Sequence, residues 1–249
     1  MERRYSTLAY LATYLALPVY VWQGLAVRRK TPRLPTPPGP VTGDIAGEGK
    51  PFRLLVIGDS SAAGVGVDDT RDGLAVQMAE GLHERTGRPV IWRAAGSNSA
   101  TSALVRDHVV PHLEPRDWTH VAISLGTNDM KNFHSVSRFK REFGTLLYAL
   151  RARFPQAAIV WAPMIDMRCV PAMPKALAQI LDIRGDAISA KGIQLCHERS
   201  ARVLEPLSNV QPEGFCHDGF HASKAGYRAW GRHLADQIAA LDEGVSRPA

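Results

Sequence analysis

From residue 53 onwards, short apolar runs alternate with segments in which apolar residues recur every three or four positions. The first pattern predicts buried strands and the second predicts amphipathic helices. Strands are expected at 53–57, 90–95, 120–125, 157–162 and 201–204. Helices are expected at 72–85, 136–153, 175–198 and 223–241. This alternation is typical of an α/β fold, in which helices cover both faces of a parallel sheet, here of about five strands.

The N-terminus has a different pattern, because residues 8–27 contain no charged side chain. As a helix, this segment would be about 30 Å long, which is the thickness of a hydrocarbon core. Basic residues lie on both sides of it, at 3–4 and at 28–30. We interpret residues 1–30 as a hydrophobic membrane anchor. A buried or interfacial helix is the alternative, since Pro18 interrupts the run, and basic residues where a cleavage site should be argue against a signal peptide.

Residues 31–50 contain five prolines and four glycines, which predicts an extended linker. The folded domain is then expected at 51–249, and a chain starting near Pro51 is expected to be soluble and active. Four basic residues follow the hydrophobic segment (Arg33 is the last) and two precede it. Because basic residues stay on the cytoplasmic side of a membrane, the domain is expected on that side; a signal anchor, which would export the domain, is the alternative.

Charge and cysteine content narrow the possible functions. The net charge is +6, but residues 1–50 hold seven basic and three acidic residues, so the other 199 residues carry only +2. The domain therefore lacks the basic field of a nucleic-acid-binding protein. Cys169, Cys196 and Cys216 form no C-x-x-C pair. Free thiols are favoured, and a single disulfide remains possible.

Three short motifs carry candidate chemistry. Ser60 follows the first predicted strand in Gly58-Asp59-Ser60, and Asn128 follows the third in Gly126-Thr127-Asn128-Asp129. Both belong to the sheet edge where open α/β sheets place their sites. Asp218 and His221 lie three residues apart before the last predicted helix. In that spacing the carboxylate can hold the imidazole, which leaves the other ring nitrogen free to accept a serine proton.

Taken singly, each motif has a simpler explanation: a helix N-cap for Ser60, a turn for Asn128 and a chance histidine for His221. In this order and spacing, however, they resemble the SGNH/GDSL hydrolase family over about residues 53–240. The resemblance implies a flavodoxin-like α/β/α sandwich. It also implies that Ser60 is the nucleophile, that His221 and Asp218 complete a catalytic triad, and that Asn128 donates to the oxyanion.

The second family motif departs from its usual form in this chain. The family has a glycine there whose backbone N–H completes the oxyanion hole. Aligned on Ala100-Thr101, that glycine is replaced by Ser99, and Gly96 is the other candidate. Since a serine keeps its backbone N–H, the resemblance implies an oxyanion hole formed by Ser60, Ser99 and Asn128.

The predicted function is hydrolysis of a short-chain acyl or acetyl ester through an acyl-enzyme on Ser60, with no metal or organic cofactor. One alternative is a metal-dependent hydrolase with a zinc pair at His217 and His221, beside Asp218 or Cys216. Another is a membrane-tethered binding module of the same fold without turnover. The methionines of 164–174 could line an acyl pocket or simply pack in a loop. No role is assigned to Asp166.

Overall fold

The computed structural model describes residues 4–245, and its centre is a six-stranded sheet in the order β1-β3-β2-β4-β5-β6. The strands are β1 (Thr42–Ile45), β2 (Phe52–Gly58), β3 (Val90–Gly96), β4 (His120–Ser124), β5 (Ala158–Trp161) and β6 (Arg202–Val203). β2 to β6 are parallel to one another. The predicted α/β class and parallel sheet are confirmed, but an antiparallel edge strand is added to them.

Helices cover both faces of this sheet, as the alternation predicted. They are α1 (Thr7–Leu15), α2 (Leu17–Lys30), α3 (Leu74–Thr86), α4 (Ser102–Leu104), α5 (Thr127–Lys131), α6 (Val136–Arg153), α7 (Lys175–Glu198) and α8 (Lys224–Val245). α3 and α8 pack together on one face, and α6 and α7 pack together on the other. The result is a three-layer α/β/α sandwich.

The central strand β2 contributes side chains to the cores on both faces of the sheet. Its side chains point alternately to the two faces of the sheet. Leu55 and Ile57 belong to the core on the α6–α7 face, while Leu54 and Val56 belong to the core on the α3–α8 face. All four are fully buried. A strand buried on both faces is continuously apolar, which is the pattern expected of a central parallel strand.

The prediction that residues 31–50 are a linker outside the domain is corrected by β1. Residues 42–45 pair antiparallel with β3, in a register that sets Thr42 beside Arg93 and Ile45 beside Val90. The preceding prolines also contact the domain, since the Pro38 carbonyl accepts a hydrogen bond from the Thr70 N–H at 2.9 Å. Proline content alone does not exclude a strand at an edge, where one side of the backbone needs no partner.

The predicted N-terminal helix is two helices whose axes are bent by 69°. Among the described residues, no single helix is long and apolar enough to cross a membrane; only this bent pair qualifies by length and composition. Pro18 is in the first turn of α2, where its missing N–H leaves no helical hydrogen bond unmade. The bend therefore comes where the sequence interrupts the hydrophobic run.

Polar contacts attach both N-terminal helices and the residues before them to the body of the domain. Arg4 forms an ion pair of 2.8 Å with Asp182 of α7, whose side chain is only 2% exposed. The guanidinium of Arg184, also on α7 and fully buried, donates to the Thr13 hydroxyl at 3.0 Å. Further along, the Leu177 N–H donates to the Gln23 side-chain oxygen at 2.9 Å. These contacts make residues 4–30 an integral part of the folded chain.

We therefore expect the N-terminus to contribute to stability, contrary to the independence of residues 51–249 inferred from the sequence. A chain that starts at Thr31 loses the contacts of Arg4 and Thr13, so that the buried Asp182 and Arg184 of α7 each lose a partner. A chain that starts at Pro51 also loses β1. Each should melt at least about 10 °C below the full chain, and the shorter one should melt lower, because removing partners of buried charges costs several kcal/mol. Thermal unfolding by circular dichroism measures this. An unchanged Tm for the Pro51 chain would make the first fifty residues a dispensable appendage.

Candidate active site

The site is formed where β2 and β4 end side by side at the carboxyl edge of the sheet. The pairing sets Gly58 opposite Ser124, so that the segments after these two residues start next to each other. Ser60 lies two residues beyond Gly58, and Asn128 lies in α5, four residues beyond Ser124. The sheet thus brings together two side chains that are 68 positions apart in the sequence.

The segment that carries Ser60 is a tight turn and not the start of a helix. The Ala63 N–H donates to the Asp59 carbonyl at 3.1 Å, and the Val65 N–H donates to the Ser60 carbonyl at 2.9 Å. The next long helix, α3, begins only at Leu74. The simpler explanation of Ser60 as a helix N-cap is therefore wrong. The Ser60 backbone N–H itself has no acceptor among the described residues.

Ser60, His221 and Asp218 form one chain of hydrogen bonds. The Ser60 Oγ is 3.1 Å from the His221 Nε2, and the His221 Nδ1 is 2.6 Å from the Asp218 Oδ2. Because a carboxylate can only accept, the Nδ1 carries a proton and the Nε2 of the neutral ring accepts from the serine. This is the arrangement that permits proton transfer from a serine hydroxyl to a histidine.

Backbone N–H groups of its own loop hold the Asp218 carboxylate in place. The other carboxylate oxygen, Oδ1, accepts from the backbone N–H groups of Phe220 and His221 at 2.7 and 2.9 Å. Burial raises the pKa of Asp218, but these hydrogen bonds and the one from the His221 ring outweigh it and hold the pKa well below its usual value. Gly219 has a positive φ of 67°, which lets the loop turn between the two side chains.

Asn128 lies beside Ser60, but both hydrogens of its side-chain amide already have acceptors. The Nδ2 donates to the Ala100 carbonyl at 3.0 Å and to the Asp59 Oδ2 at 3.2 Å. An oxyanion at this site would share or replace the longer of the two bonds. Asn128 is buried, so its amide is held in one orientation by these two partners.

Ser99 has the backbone conformation that the family's glycine would suggest. Its φ is +61°, in the left-handed region that serine seldom adopts. Its N–H has no acceptor among the described residues, but Ser99 is exposed and does not line the pocket at Ser60. At Gly96 any side chain is excluded by a close contact, because a Cβ there would lie 2.1 Å from the Ala63 backbone nitrogen.

A pocket that is open to solvent extends from Ser60, Asn128 and His221. Its walls are mainly apolar, with contributions from the loop after β5 and from the region before α8. The apolar side chains include Met164, Ile165, Met167, Phe215, Phe220 and Trp230. Two of the three methionines that the sequence offered for an acyl pocket therefore line it, whereas Met173 does not.

The residues proposed for a zinc pair are not arranged as one. Both nitrogens of His221 are engaged, by Asp218 and by Ser60, which leaves the ring no free lone pair for a metal shared with His217. Burial raises the pKa of Cys216 to about 11, which keeps its thiol neutral, and the Cys216 Sγ lies 3.2 Å from the Asp218 Oδ1. In the described part of the chain, the three cysteines are free thiols.

Another set of side chains, Asp129, His134 and Glu142, has the spacing of metal ligands. Most of its polar atoms already have partners, although the buried Glu142 Oε2 forms no hydrogen bond with a described residue. The Asp129 Oδ2 accepts from the Ser102 N–H and hydroxyl, both at 3.0 Å. The His134 Nδ1 lies between Asp129 and Glu142, at 3.3 and 3.6 Å, and Arg138 donates to Glu142 at 2.7 Å. We interpret this cluster as an ion-pair network that ties α5, which carries Asn128, to α6.

The contacts that make Asp59 part of the site were not apparent from the sequence. This buried carboxylate accepts from the Ser61 N–H at 3.0 Å and from the Ser61 hydroxyl at 2.8 Å, in addition to its contact with Asn128. Burial raises its pKa above the usual value. An acidic residue directly between a strand-ending glycine and a serine was the available signal, because a charged side chain is seldom placed at the end of a buried strand without partners.

Known proteins share this architecture. Among solved structures, the psychrotrophic esterase EstA of a Pseudoalteromonas species superposes with a TM-score of 0.59 at 17% identity, covering 77% of this chain and 98% of its own. The carbohydrate acetylesterase Est24 of Sinorhizobium meliloti gives a TM-score of 0.57 at 18% identity, covering 76% and 99%. At such identities these likenesses establish the fold alone.

Sequence comparison adds the family. A GDSL-like esterase of Mycobacterium tuberculosis is 26% identical over 189 residues, which are 70% of this chain and 57% of that protein, so the chain spans little more than half of its relative. The model of the GDSL-like lipase/acylhydrolase family matches residues 56–229, which include Ser60, Asn128, Asp218 and His221. The resemblance found in the sequence motifs is confirmed: the chain belongs to the GDSL-like lipase/acylhydrolase family of serine ester hydrolases.

Proposed function

We propose that this protein is an esterase that cleaves a carboxylic ester through an acyl-enzyme on Ser60. The observation that carries the proposal is the hydrogen-bonded chain from Asp218 through His221 to the Ser60 hydroxyl, at the end of an apolar pocket. A serine hydroxyl is a weak nucleophile unless a base lies within hydrogen-bond distance, and His221 meets that requirement.

The proposed reaction has two steps. In the first, the Ser60 Oγ attacks the ester carbonyl carbon while the His221 Nε2 takes its proton. Collapse of the tetrahedral intermediate breaks the bond to the alcohol oxygen, which receives that proton from His221. In the second, water loses a proton to the His221 Nε2 and attacks the acyl carbon. The bond between that carbon and the Ser60 Oγ then breaks, the Oγ takes the proton back from His221, and the acid is released. Asp218 keeps the imidazole in the required tautomer and stabilises its cation.

Three donors are proposed for the negative charge that forms on the carbonyl oxygen. Among the described residues, the Ser60 N–H has no acceptor, and the Asn128 amide lies beside it with one replaceable bond to Asp59. The Ser99 N–H likewise has no acceptor there, and Ser99 has a positive φ, but it lies outside the pocket lining, so it can donate only if its turn brings the N–H to the carbonyl oxygen held at Ser60. Donors already directed at the developing charge lower the barrier without reorganising.

For the substrate, we propose an ester of an aliphatic acid with a short acyl chain. Support comes from the apolar wall that Met164, Ile165 and Met167 form within the pocket, since an acyl chain gains about 0.8 kcal/mol for each CH₂ group buried there. Est24, with the same fold, is a carbohydrate acetylesterase and EstA is an esterase. Acetyl esters of sugars are therefore included among the candidates.

Replacing the nucleophile is the direct test of the mechanism. Ser60→Ala should reduce kcat by on the order of 10⁶, because no other group can form the acyl-enzyme. The variant should also resist a fluorophosphonate probe that labels the wild-type chain, as read by intact-mass spectrometry. Unchanged thermal unfolding is the control for folding. A wild-type chain that the probe leaves unlabelled would favour the non-catalytic binding module.

Asn128→Ala tests the oxyanion donor. We expect kcat to fall by roughly 10²–10³ with little change in KM, because the bond that is lost forms only in the transition state. Steady-state kinetics on a soluble nitrophenyl ester measure this, with thermal unfolding as the control because Asp59 and Ala100 lose a partner. An increase in KM at unchanged kcat would instead assign Asn128 to substrate binding.

The acyl pocket can be tested with nitrophenyl esters of increasing chain length. We expect kcat/KM to rise by up to about fourfold per added CH₂ group until the chain fills the apolar wall. Met164→Trp should shift the best substrate to a shorter chain. Met173→Trp is the matched control, because Met173 lies nearby and is half-buried but does not line the pocket. A profile that is the same in all three proteins would place the acyl chain elsewhere.

A further inference from the structure

The two N-terminal helices carry no charged side chain between residues 8 and 27, yet they are covered on one side only. Their inner side contacts the domain, for example through Tyr20 and Val27, which pack against the core on the α6–α7 face. On the outer side, the side chains of Leu8, Leu15 and Trp22 are 76%, 87% and 72% exposed. A helix that is hydrophobic all round belongs in an apolar environment on all sides. Exposure of the outer side to water is therefore unfavourable.

This exposure is concentrated in one place. In the described part of the chain, all the exposed large hydrophobic side chains but three lie in α1 and α2. We define the outer face by six of them, which are Leu8, Leu11, Leu15, Val21, Trp22 and Leu25. Exposed apolar side chains concentrated on two consecutive helices indicate an interaction site, whereas scattered single residues do not.

Positive charge lies directly beside the outer face. Arg28, Arg29 and Lys30 form the last turn of α2 and are exposed, and Arg33 follows them. None of the four forms an ion pair with a described residue. Apolar side chains next to unpaired cations match the two layers of an anionic phospholipid surface, whose acyl chains lie just beneath phosphate groups.

We propose that α1 and α2 bind in the plane of an anionic phospholipid membrane, with the outer face in the acyl region and residues 28–33 at the phosphates. A membrane-spanning arrangement is a poorer fit, because the axes are bent by 69°. It would also separate Arg4 from Asp182 and Thr13 from Arg184, and Asp182 and Arg184 are both buried, so that each would lose a partner away from water. In-plane binding keeps these contacts.

Two contacts connect the membrane-binding helices to the pocket wall. The Tyr20 hydroxyl donates to the Lys131 carbonyl. The Lys131 ammonium lies 4.4 Å from the centre of the Phe220 ring, and Phe220 lines the pocket. Membrane binding does not depend on the proposed esterase activity, but it would bring the pocket close to esters held in a lipid layer.

Vesicle flotation of the full chain tests the proposal. We expect the wild type to float with vesicles that contain phosphatidylglycerol and to float less with phosphatidylcholine alone. Leu15→Glu/Trp22→Glu should reduce the bound fraction at least about tenfold, because two large side chains no longer favour the acyl region. Leu104→Glu/Tyr148→Glu is the matched control, since these exposed side chains lie on α4 and α6, outside the outer face. It should float like the wild type.

Two further measurements test the contribution of the basic residues to binding and the arrangement of the helices in the membrane. Arg28→Gln/Arg29→Gln/Lys30→Gln should lose the preference for anionic vesicles. All variants should retain hydrolysis of a soluble ester and the wild-type melting temperature, which separates failed binding from failed folding. A cleavable tag placed before Met1 should be removed by protease added outside the vesicles, because an in-plane helix pair leaves both of its ends on the side of the domain. Protection of the tag in bound protein would indicate a spanning helix and overturn the in-plane arrangement.

Three results would overturn membrane binding itself. The wild type could fail to float with either vesicle, or Leu15→Glu/Trp22→Glu could float as well as the wild type. Light scattering could instead show a dimer that this double variant dissociates, which would assign the outer face to a second copy of the chain.

Discussion

The whole site depends on how closely the turn after β2 approaches the carboxyl edge of the sheet. A Cβ on Gly58 would lie 2.1 Å from the Ser124 carbonyl oxygen, and one on Gly96 would lie 2.1 Å from the Ala63 nitrogen. Only glycine at the ends of β2 and β3 leaves room for this turn to fold back between its neighbouring strands. Because the turn is held against β4, Ser60 comes next to Asn128, and the pocket begins at this point.

The close approach buries a carboxylate, and that burial organises the surrounding polar groups. Asp59 has little contact with water, so it needs donors, and Ser61 and Asn128 provide them. The bond to Asn128 orients the amide but also competes with an oxyanion for one of its hydrogens. A negative charge on a substrate carbonyl oxygen would compete with the Asp59 Oδ2 for the hydrogen that forms the longer, 3.2 Å bond. Asp59 thus orients the Asn128 amide, one hydrogen of which the proposed oxyanion would need.

Features set by local sequence were predictable, whereas features set by distant partners were not. The strand–helix alternation gave the sandwich, and α6 and α7 begin and end where their apolar spacing predicted. Ser60, Asp218 and His221 were found because each lies in a short motif with a known spacing. Asp59 was missed because its importance comes from Asn128, far along the chain. β1 was missed because its four residues have no apolar alternation, and they form a strand only because β3 offers a free edge.

The N-terminal segment illustrates the same limit in energetic terms. Twenty uncharged residues can be removed from water either by crossing a bilayer or by packing between a protein and a lipid surface. Amino-acid composition alone does not distinguish these two arrangements. What distinguishes the two is the set of polar partners on the side facing the domain. Thr13 and Gln23 are minor interruptions of a hydrophobic run in the sequence, yet they bond to Arg184 and to the start of α7. Because Arg184 is fully buried, a segment that left the domain would remove one of its few partners, and this cost favours the docked helices over a spanning one.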